Sequence, residues 1–375
     1  MTAAVQPNPK SLARQLRPLL PLQAFQISPA RLALVPINLA ILGLGWQIAS
    51  RLDRLPPILL LAWLPLAVVM GNSVFVLGLL GHDLMHGNLP RHRTHRRLTA
   101  LLSFAMSWMT PTLWQAVHNR EHHSHTNGLR DPDRSYLASQ PSSWGKRLFG
   151  WIAPSSEVNP LVLTLGMTSA WPLHHFRTNC AVLLFNRVDT PFTPASFRVS
   201  TPERRAMAFE LAVVVVMHAL VVCWIGLKPM NLLLGYFLPL WIGYAMAMAY
   251  IYTHHMLSPL TENNDPLLSS LSLQVPGWLD LLHCNFSHHS EHHLFPGLNS
   301  NYYPQVRTLL MRLHGDRFNL MRLDQAWRLM LATPRFYHDS NHLVTADGAV
   351  LMSVPLPLDS GPTPSNDGEQ PAFGS

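Results

Sequence analysis

Eight histidines fall in three clusters: HDLMH (His82, His86), HNREHH (His118, His122, His123) and HSEHH (His289, His292, His293). Neutral imidazole is the commonest protein ligand for metals, and residues three or four apart on a helix share a face. His82 and His86 therefore point one way, as do His118 and His122. His123 is rotated away from that pair and could reach a second metal. His289, His292 and His293 combine both spacings and can converge. Eight imidazoles suffice for two metal ions with roughly four ligands each and space for an exogenous ligand. One such cluster would say little, because a lone histidine is usually a surface or core residue. Three in one chain make a metal site the leading hypothesis.

The elements that must position these clusters are long and apolar. Of the 375 residues, 48% are hydrophobic and only 13% charged, where a soluble domain carries roughly 25% charged residues. Four segments approach the roughly 20 apolar residues that a bilayer-spanning helix needs: 32–50, 57–81, 206–227 and 232–253. Short connectors, 51–56 and 228–231, pair them into two helical hairpins. The fold class expected is an all-α membrane protein whose four transmembrane helices carry a cytoplasmic helical cap that holds the boxes. A basic cytoplasmic N-terminal arm (1–31) precedes one membrane domain (32–346), and a Pro-, Gly- and Ser-rich tail (347–375) reads as disordered. Residues 98–117, interrupted by Pro111, read as an interfacial or re-entrant segment, and 160–171 as a membrane-surface helix.

The formal charge is +7, and the basic residues sit beside apolar segments. Lys10, Arg14, Arg17, Arg31, Arg91, Arg93, Arg96, Arg97, Arg204 and Arg205 all fall on the side shared by the three clusters. The positive-inside rule makes that side cytoplasmic and the chain a multi-pass membrane protein. Such charges fit an anionic membrane surface. Nucleic acid is not an expected partner, since it would want basic residues interleaved with exposed aromatics on a soluble domain. Cys180, Cys223 and Cys284 form no CxxC pair and suggest neither a disulfide framework nor an iron–sulfur motif. The N-terminus lacks the basic–apolar–cleavage pattern of a removable signal peptide.

A zinc site would use four ligands if structural and three if catalytic, fewer than the clusters offer. Non-haem iron accepts imidazole well, and two irons with open positions can bind and activate oxygen. Soluble di-iron bundles use glutamates with Glu-x-x-His pairs, whereas here histidine takes the place of carboxylate. Asp83, Glu121 and Glu291 lie inside the boxes and either orient imidazole N–H groups or face solvent. His125 is a polar neighbour of the second box, Asp131 and Asp133 read as turn-capping residues, and His218 as a buried polar contact in the third span. His92, His95, His174 and His175 are assigned no role. The strings HNREH and HHSEH have the HxxEH form of a membrane zinc peptidase with Glu121 as general base. That rival leaves the first cluster unused.

The three boxes in order, the paired apolar segments, and the strings EHHSHTNGLRDPD and NFSHHSEHHLFPGL give the chain a resemblance. It is similar to the integral-membrane fatty acid desaturases over about residues 70–310. The resemblance implies an O2-dependent di-iron enzyme that removes two hydrogens from adjacent methylenes of a lipid acyl chain. By that similarity His82, His86, His118, His122, His123, His289, His292 and His293 are iron ligands. A further histidine completes the site in some relatives, and His254 at the end of the fourth span is the position expected here. Asn285 could hold a metal-bound water or cap a helix. The chain has no haem, flavin or iron–sulfur motif, so electrons come from a donor such as ferredoxin or cytochrome b5, the family's usual donors. Basic residues in 91–97 could dock an acidic donor or bind lipid headgroups. Box three begins with His289, not the glutamine of front-end desaturases fused to cytochrome b5. Box one has three intervening residues rather than the four of the animal stearoyl-CoA type. HDLMHG also resembles the first box of carotenoid ketolases, so a di-iron hydroxylase or ketolase is the alternative.

Overall fold

The computed structural model describes residues 9–26, 28–87, 93–133, 144–187 and 197–357. Four of its helices are long and apolar enough to cross a membrane: Leu22–Arg54, Pro57–His86, Thr201–Ile225 and Pro229–His255. The regular part of the first, α1 (Pro29–Ala49), starts on a proline that follows the extended Ser28, where the missing N–H removes no helical bond. The second, α2 (Pro57–His86), starts the same way and runs 30 residues. At 1.5 Å per residue it is about 45 Å long, against roughly 30 Å for a bilayer core. Its last turns, with His82 and His86, therefore project past that thickness on an unbroken helix.

The apolar stretch 98–117 is not one of the four. Helix α3 (Arg93–Phe104) ends in a tight turn at Ala105–Ser107, and Trp108 then adopts a left-handed backbone with φ 56°. Thr110 is extended before Pro111, which opens α4 (Pro111–Trp114), as the crowding of a residue before proline requires. Three carbonyls of the turn accept bonds from three other helices: Ala105 from His218 Nε2 at 3.0 Å, Met106 from Tyr244 Oη at 2.8 Å and Ser107 from Trp171 Nε1 at 2.9 Å. His218 is thus a staple between the third long helix and this turn, with Tyr236 on its Nδ1 at 2.8 Å and Trp108 stacked at 4.0 Å.

Helix α5 (Pro160–Cys180) is longer than the 160–171 expected. It passes through Pro172 because a single proline deletes one ladder bond, while His175, Arg177, Thr178 and Asn179 beyond it are buried. Helix α6 (Thr201–Ile225) opens with a Ser200–Glu203 capping box and ends at Gly226. Helix α7 (Leu238–His255) completes the fourth long helix and packs against both α2 and α5. Gly71 and Gly243 permit the α2–α7 approach: a Cβ on Gly243 would lie 2.7 Å from the Gly71 carbonyl.

Beyond α7 the chain is not purely helical. A parallel pair, β1 (Ser272–Gln274) with β2 (Leu320–Arg322), aligns Ser272 with Leu320. Between them lie α8 (Gly277–Leu282), α9 (His289–Leu294) and α10 (Tyr303–His314). Helix α11 (Leu323–Ala332) leads to an antiparallel sheet of β3 (Phe336–Tyr337), β4 (His342–Val344) and β5 (Leu351–Ser353). Strands of two or three residues leave no readable alternation in sequence. The tail expected from 347 accordingly begins inside this sheet, and 358–375 lie outside the described residues. The arm's Leu12, Leu16, Leu20 and Ala24 form a core with Leu294, Phe295, Val306 and Leu310, which fastens the N-terminal segment over α9 and α10.

Candidate metal centre

The second histidine cluster is not wound as an α-helix. Residues Gln115–His122 form a π-helical turn, and the His123 N–H bonds the His118 carbonyl. In an i→i+5 ladder, residues five apart stack as residues four apart do in an α-helix. The winding brings His123 back over His118, so the expectation that it is rotated away fails for a local backbone reason. Its Nε2 lies 3.1 Å from His118 Nε2 and 3.1 Å from His292 Nε2. Thr112, at the start of this helix, is held by a carboxylate from α6: Glu210 accepts the Thr112 N–H at 2.9 Å and its hydroxyl at 2.8 Å.

Two groups of four imidazoles result. His82, His86, His118 and His292 form one, and His122, His255, His289 and His293 the other, with ring nitrogens within 4.8 Å of one another in each. His118 and His122, expected to serve together, are divided between the groups. His123 bridges them, with its ring centroid 4.8 Å from His86 and 4.4 Å from His293. His118, His122 and Asp133 also come close enough to share an ion.

The proton positions make these clusters fit a cation. His255 Nδ1 lies 2.9 Å from the Ser269 carbonyl, an acceptor only, so Nδ1 carries the proton and Nε2 a lone pair. The carboxylates of Asp131 at 2.9 Å and Asp83 at 3.1 Å fix His122 and His82 the same way. Their Nε2 lone pairs then face neighbouring imidazole nitrogens: His82 faces His118 Nε2 at 3.2 Å, His122 faces His293 at 3.3 Å and His255 faces His289 at 2.7 Å, with His289 and His293 Nε2 3.1 Å apart. Nitrogens bound at about 2.0–2.1 Å to one metal would be separated by roughly 2.9–3.4 Å. His86 Nε2, buried and without a protein partner, meets the same requirement. Burial, with the neighbouring imidazoles adding to it, holds His118, His123, His289, His292 and His293 well below the ordinary imidazole range. They are therefore neutral, which is the ligating form.

The residues around the groups divide differently from the sequence reading. Asp83 reaches His82 and also accepts from the Ser300 hydroxyl at 3.1 Å. Glu121 turns toward Arg120 and Arg130, at 3.2 and 3.4 Å, and His125 Nδ1 lies 3.0 Å from the Glu121 carbonyl. Glu291 is fully buried and bonded to Arg307 at 2.7 Å, His288 and Ser272. Burial alone would raise the Glu291 carboxyl, but Arg307, His288 and Ser272 hold it at about 2. Asn285, at φ 58°, donates to the Ser300 carbonyl at 2.9 Å and lines a small cavity with His82, Asp83 and His292.

Three residues in or beside the histidine groups are not read as part of the site in the sequence. Asp131 reads there as a turn-capping residue, but it is wholly buried and accepts from His122 and from the Asn127 N–H at 2.8 Å. Tyr303, eleven residues after His292, meets its Nδ1 at 3.0 Å. His255, rather than His254, enters the second group. Both follow Tyr252-Thr253, and neighbours on a helix differ by about 100°. Only the rotation of α7 against α2 decides between them.

A cavity of about 140 Å³ opens from the groups, enough for roughly ten water-sized occupants. Val74, Phe75, Gly78, Tyr244, Ala247 and Met248 of α2 and α7 give it an apolar wall, and His82, His118, His122, His255 and His289 also line it.

Four long apolar helices and two groups of four histidines beside a largely apolar cavity define a helical membrane-type protein with a histidine-rich site that could hold metal. Residues 59–322 match the family model described as fatty acid desaturase, and the chain belongs to that family. A search of curated proteins found no significant match to the chain.

Proposed function

We propose that this protein desaturates a fatty acyl chain. Two adjacent methylenes lose one hydrogen each, and these two hydrogens, with two electrons from an external donor and two protons from solvent, reduce O2 to two waters. The observation that carries this reading is the pair of four-histidine groups, of which His82, His118, His122, His255 and His289 line a largely apolar cavity beside α2 and α7. One iron would be held by His82, His86, His118 and His292, the other by His122, His255, His289 and His293, with His123 between them. Iron bound there supplies oxygen activation for cleavage of unactivated C–H bonds. The chain's own part is to keep these imidazoles neutral, to fix their rotation through Asp83, Asp131, Ser269 and Tyr303, and to exclude water from the cavity. Glu121 is engaged by two arginines, which argues against its use as the base of a zinc peptidase.

The four long helices cross the bilayer as two hairpins in this reading, with the histidine-bearing cap on the cytoplasmic side by the positive-inside rule. Ferredoxin or a cytochrome b5 would supply electrons from that side. The test is the lipid profile of a host expressing the chain with its donor, beside a His289→Ala control, resolved by gas chromatography and mass detection. A new unsaturated species that vanishes in the control supports desaturation. A new hydroxylated or oxo lipid would replace it with hydroxylation or ketolation. An unchanged profile from iron-loaded protein would overturn both.

A further inference from the structure

One residue in the wall of the cavity does not suit a plain hydrocarbon. His254 is 0% exposed, lines the cavity, and has no hydrogen-bond partner on either ring nitrogen. Its ring stacks on His289 with centroids 3.8 Å apart and planes at 12°, with Phe286 at 5.1 Å and Tyr250 at 6.0 Å. His255 next to it has both nitrogens engaged, by Ser269 and by the second histidine group. His254 belongs to neither group. A second imidazole shows the same deficit. His175 of α5 is 5% exposed, lines the same cavity, and its Nε2 has no partner.

A neutral imidazole presents one N–H and one lone pair. Left unpaired in a buried site, such a group costs about 1–3 kcal/mol. A methylene chain offers nothing to it, whereas Phe75, Phe286 and Met248 of the same wall present only groups that such a chain can pack against. We propose that the lipid taken into this cavity carries a hydroxyl or keto oxygen along its chain, in addition to the oxygens of its acyl head, and that this oxygen hydrogen-bonds to His254. A hydroxyl complements either ring nitrogen, and a carbonyl complements the N–H. Because the ring lies against His289, the oxygen sits within a few carbons of the position oxidised, so His254 selects which carbon faces the metals. The inference rests on the reading of the cavity as the substrate site and narrows the substrate from acyl chains in general to those oxygenated along the chain.

The test is displacement of a fluorescent fatty acid from the full-length, iron-loaded protein in detergent micelles. The competitors are stearic acid and a panel of stearic acids with one hydroxyl or keto group at successive chain positions. One or a few adjacent isomers should compete at least about tenfold better than stearic acid. His254→Phe should bring them within about twofold of stearic acid while iron content stays at the wild-type level. His254→Gln, which keeps a donor and an acceptor, should retain part of the preference. Equal competition by stearic acid and every isomer in the wild type overturns the proposal and requires no variant. So does a preference that survives His254→Phe, or a loss of iron in that variant, which would make His254 a ligand. If stearic acid competes and no isomer is favoured, only this inference falls. If no lipid competes, the substrate reading beneath it falls as well.

Discussion

The carboxylate of Asp131 lies 2.9 Å from Nδ1 of His122, and both side chains are buried to within 2% of complete exclusion from solvent. Asp131 thereby fixes the His122 tautomer and turns its Nε2 into the space shared with His255, His289 and His293. Asp131→Asn keeps the shape but permits the amide to rotate and present an N–H. Metal affinity of the second group should fall about 10–100-fold, read as iron retained against a graded chelator. Iron retention equal to wild type would remove Asp131 from the site's support.

Glu210 ties α6 to the start of the helix that carries the second histidine cluster. It accepts from Thr112 N–H and hydroxyl at 2.9 and 2.8 Å and from Arg97 at 2.7 Å. Glu210→Ala strands the N-terminal donor and a partly buried guanidinium, a loss of about 2–3 kcal/mol. The thermal midpoint in detergent should drop, with Glu210→Gln falling between the two. An unchanged midpoint for the alanine variant would show that Thr112 and Arg97 find other partners.

The contact of α2 with α7 depends on having no side chain at Gly243. A Cβ there would come within 2.7 Å of the Gly71 carbonyl and 2.9 Å of Val74 Cβ. Gly243→Ala should destabilise by about 1–3 kcal/mol through overpacking. At Gly43 a new Cβ meets only Trp224, at 3.8 Å, and Gly43→Ala should be neutral or slightly stabilising. Paired thermal midpoints check the contrast, and equal effects at the two positions would contradict the packing described.

His283 is buried between Tyr250, whose hydroxyl is 2.9 Å from its Nδ1, and Asn72 at 3.1 Å from its Nε2. Burial lowers its pKa to about 4, whereas the unfolded chain titrates near 6.5. As pH falls below about 6.5 the unfolded state takes up the proton first, so this contribution to stability declines down to about pH 4 and is constant above. In the metal-free protein, His283→Gln should flatten the fall of the unfolding midpoint between these values. Parallel curves for wild type and variant would mean that His283 is protonated in the folded state.

The sequence by itself determined the eight box histidines of the candidate site and the long apolar elements beside them. Spacing places His82 with His86, and the apolar run before them extends into the same unbroken helix. Uninterrupted apolar length is a local property, so four long helices were legible residue by residue. What tertiary structure decided was rotation and partnership. The π-helical winding of 115–122 sends His118 and His122 to different groups and returns His123 between them, and nothing in HNREHH distinguishes that winding from an α-turn. The choice of His255 over His254 follows from how α7 turns against α2 at Gly71 and Gly243. Asp131 and Tyr303 join the site because folding brings remote carboxylate and phenol groups to imidazole nitrogens. Such assignments depend on angles about a helix axis and on contacts between distant segments, which sequence spacing alone does not encode.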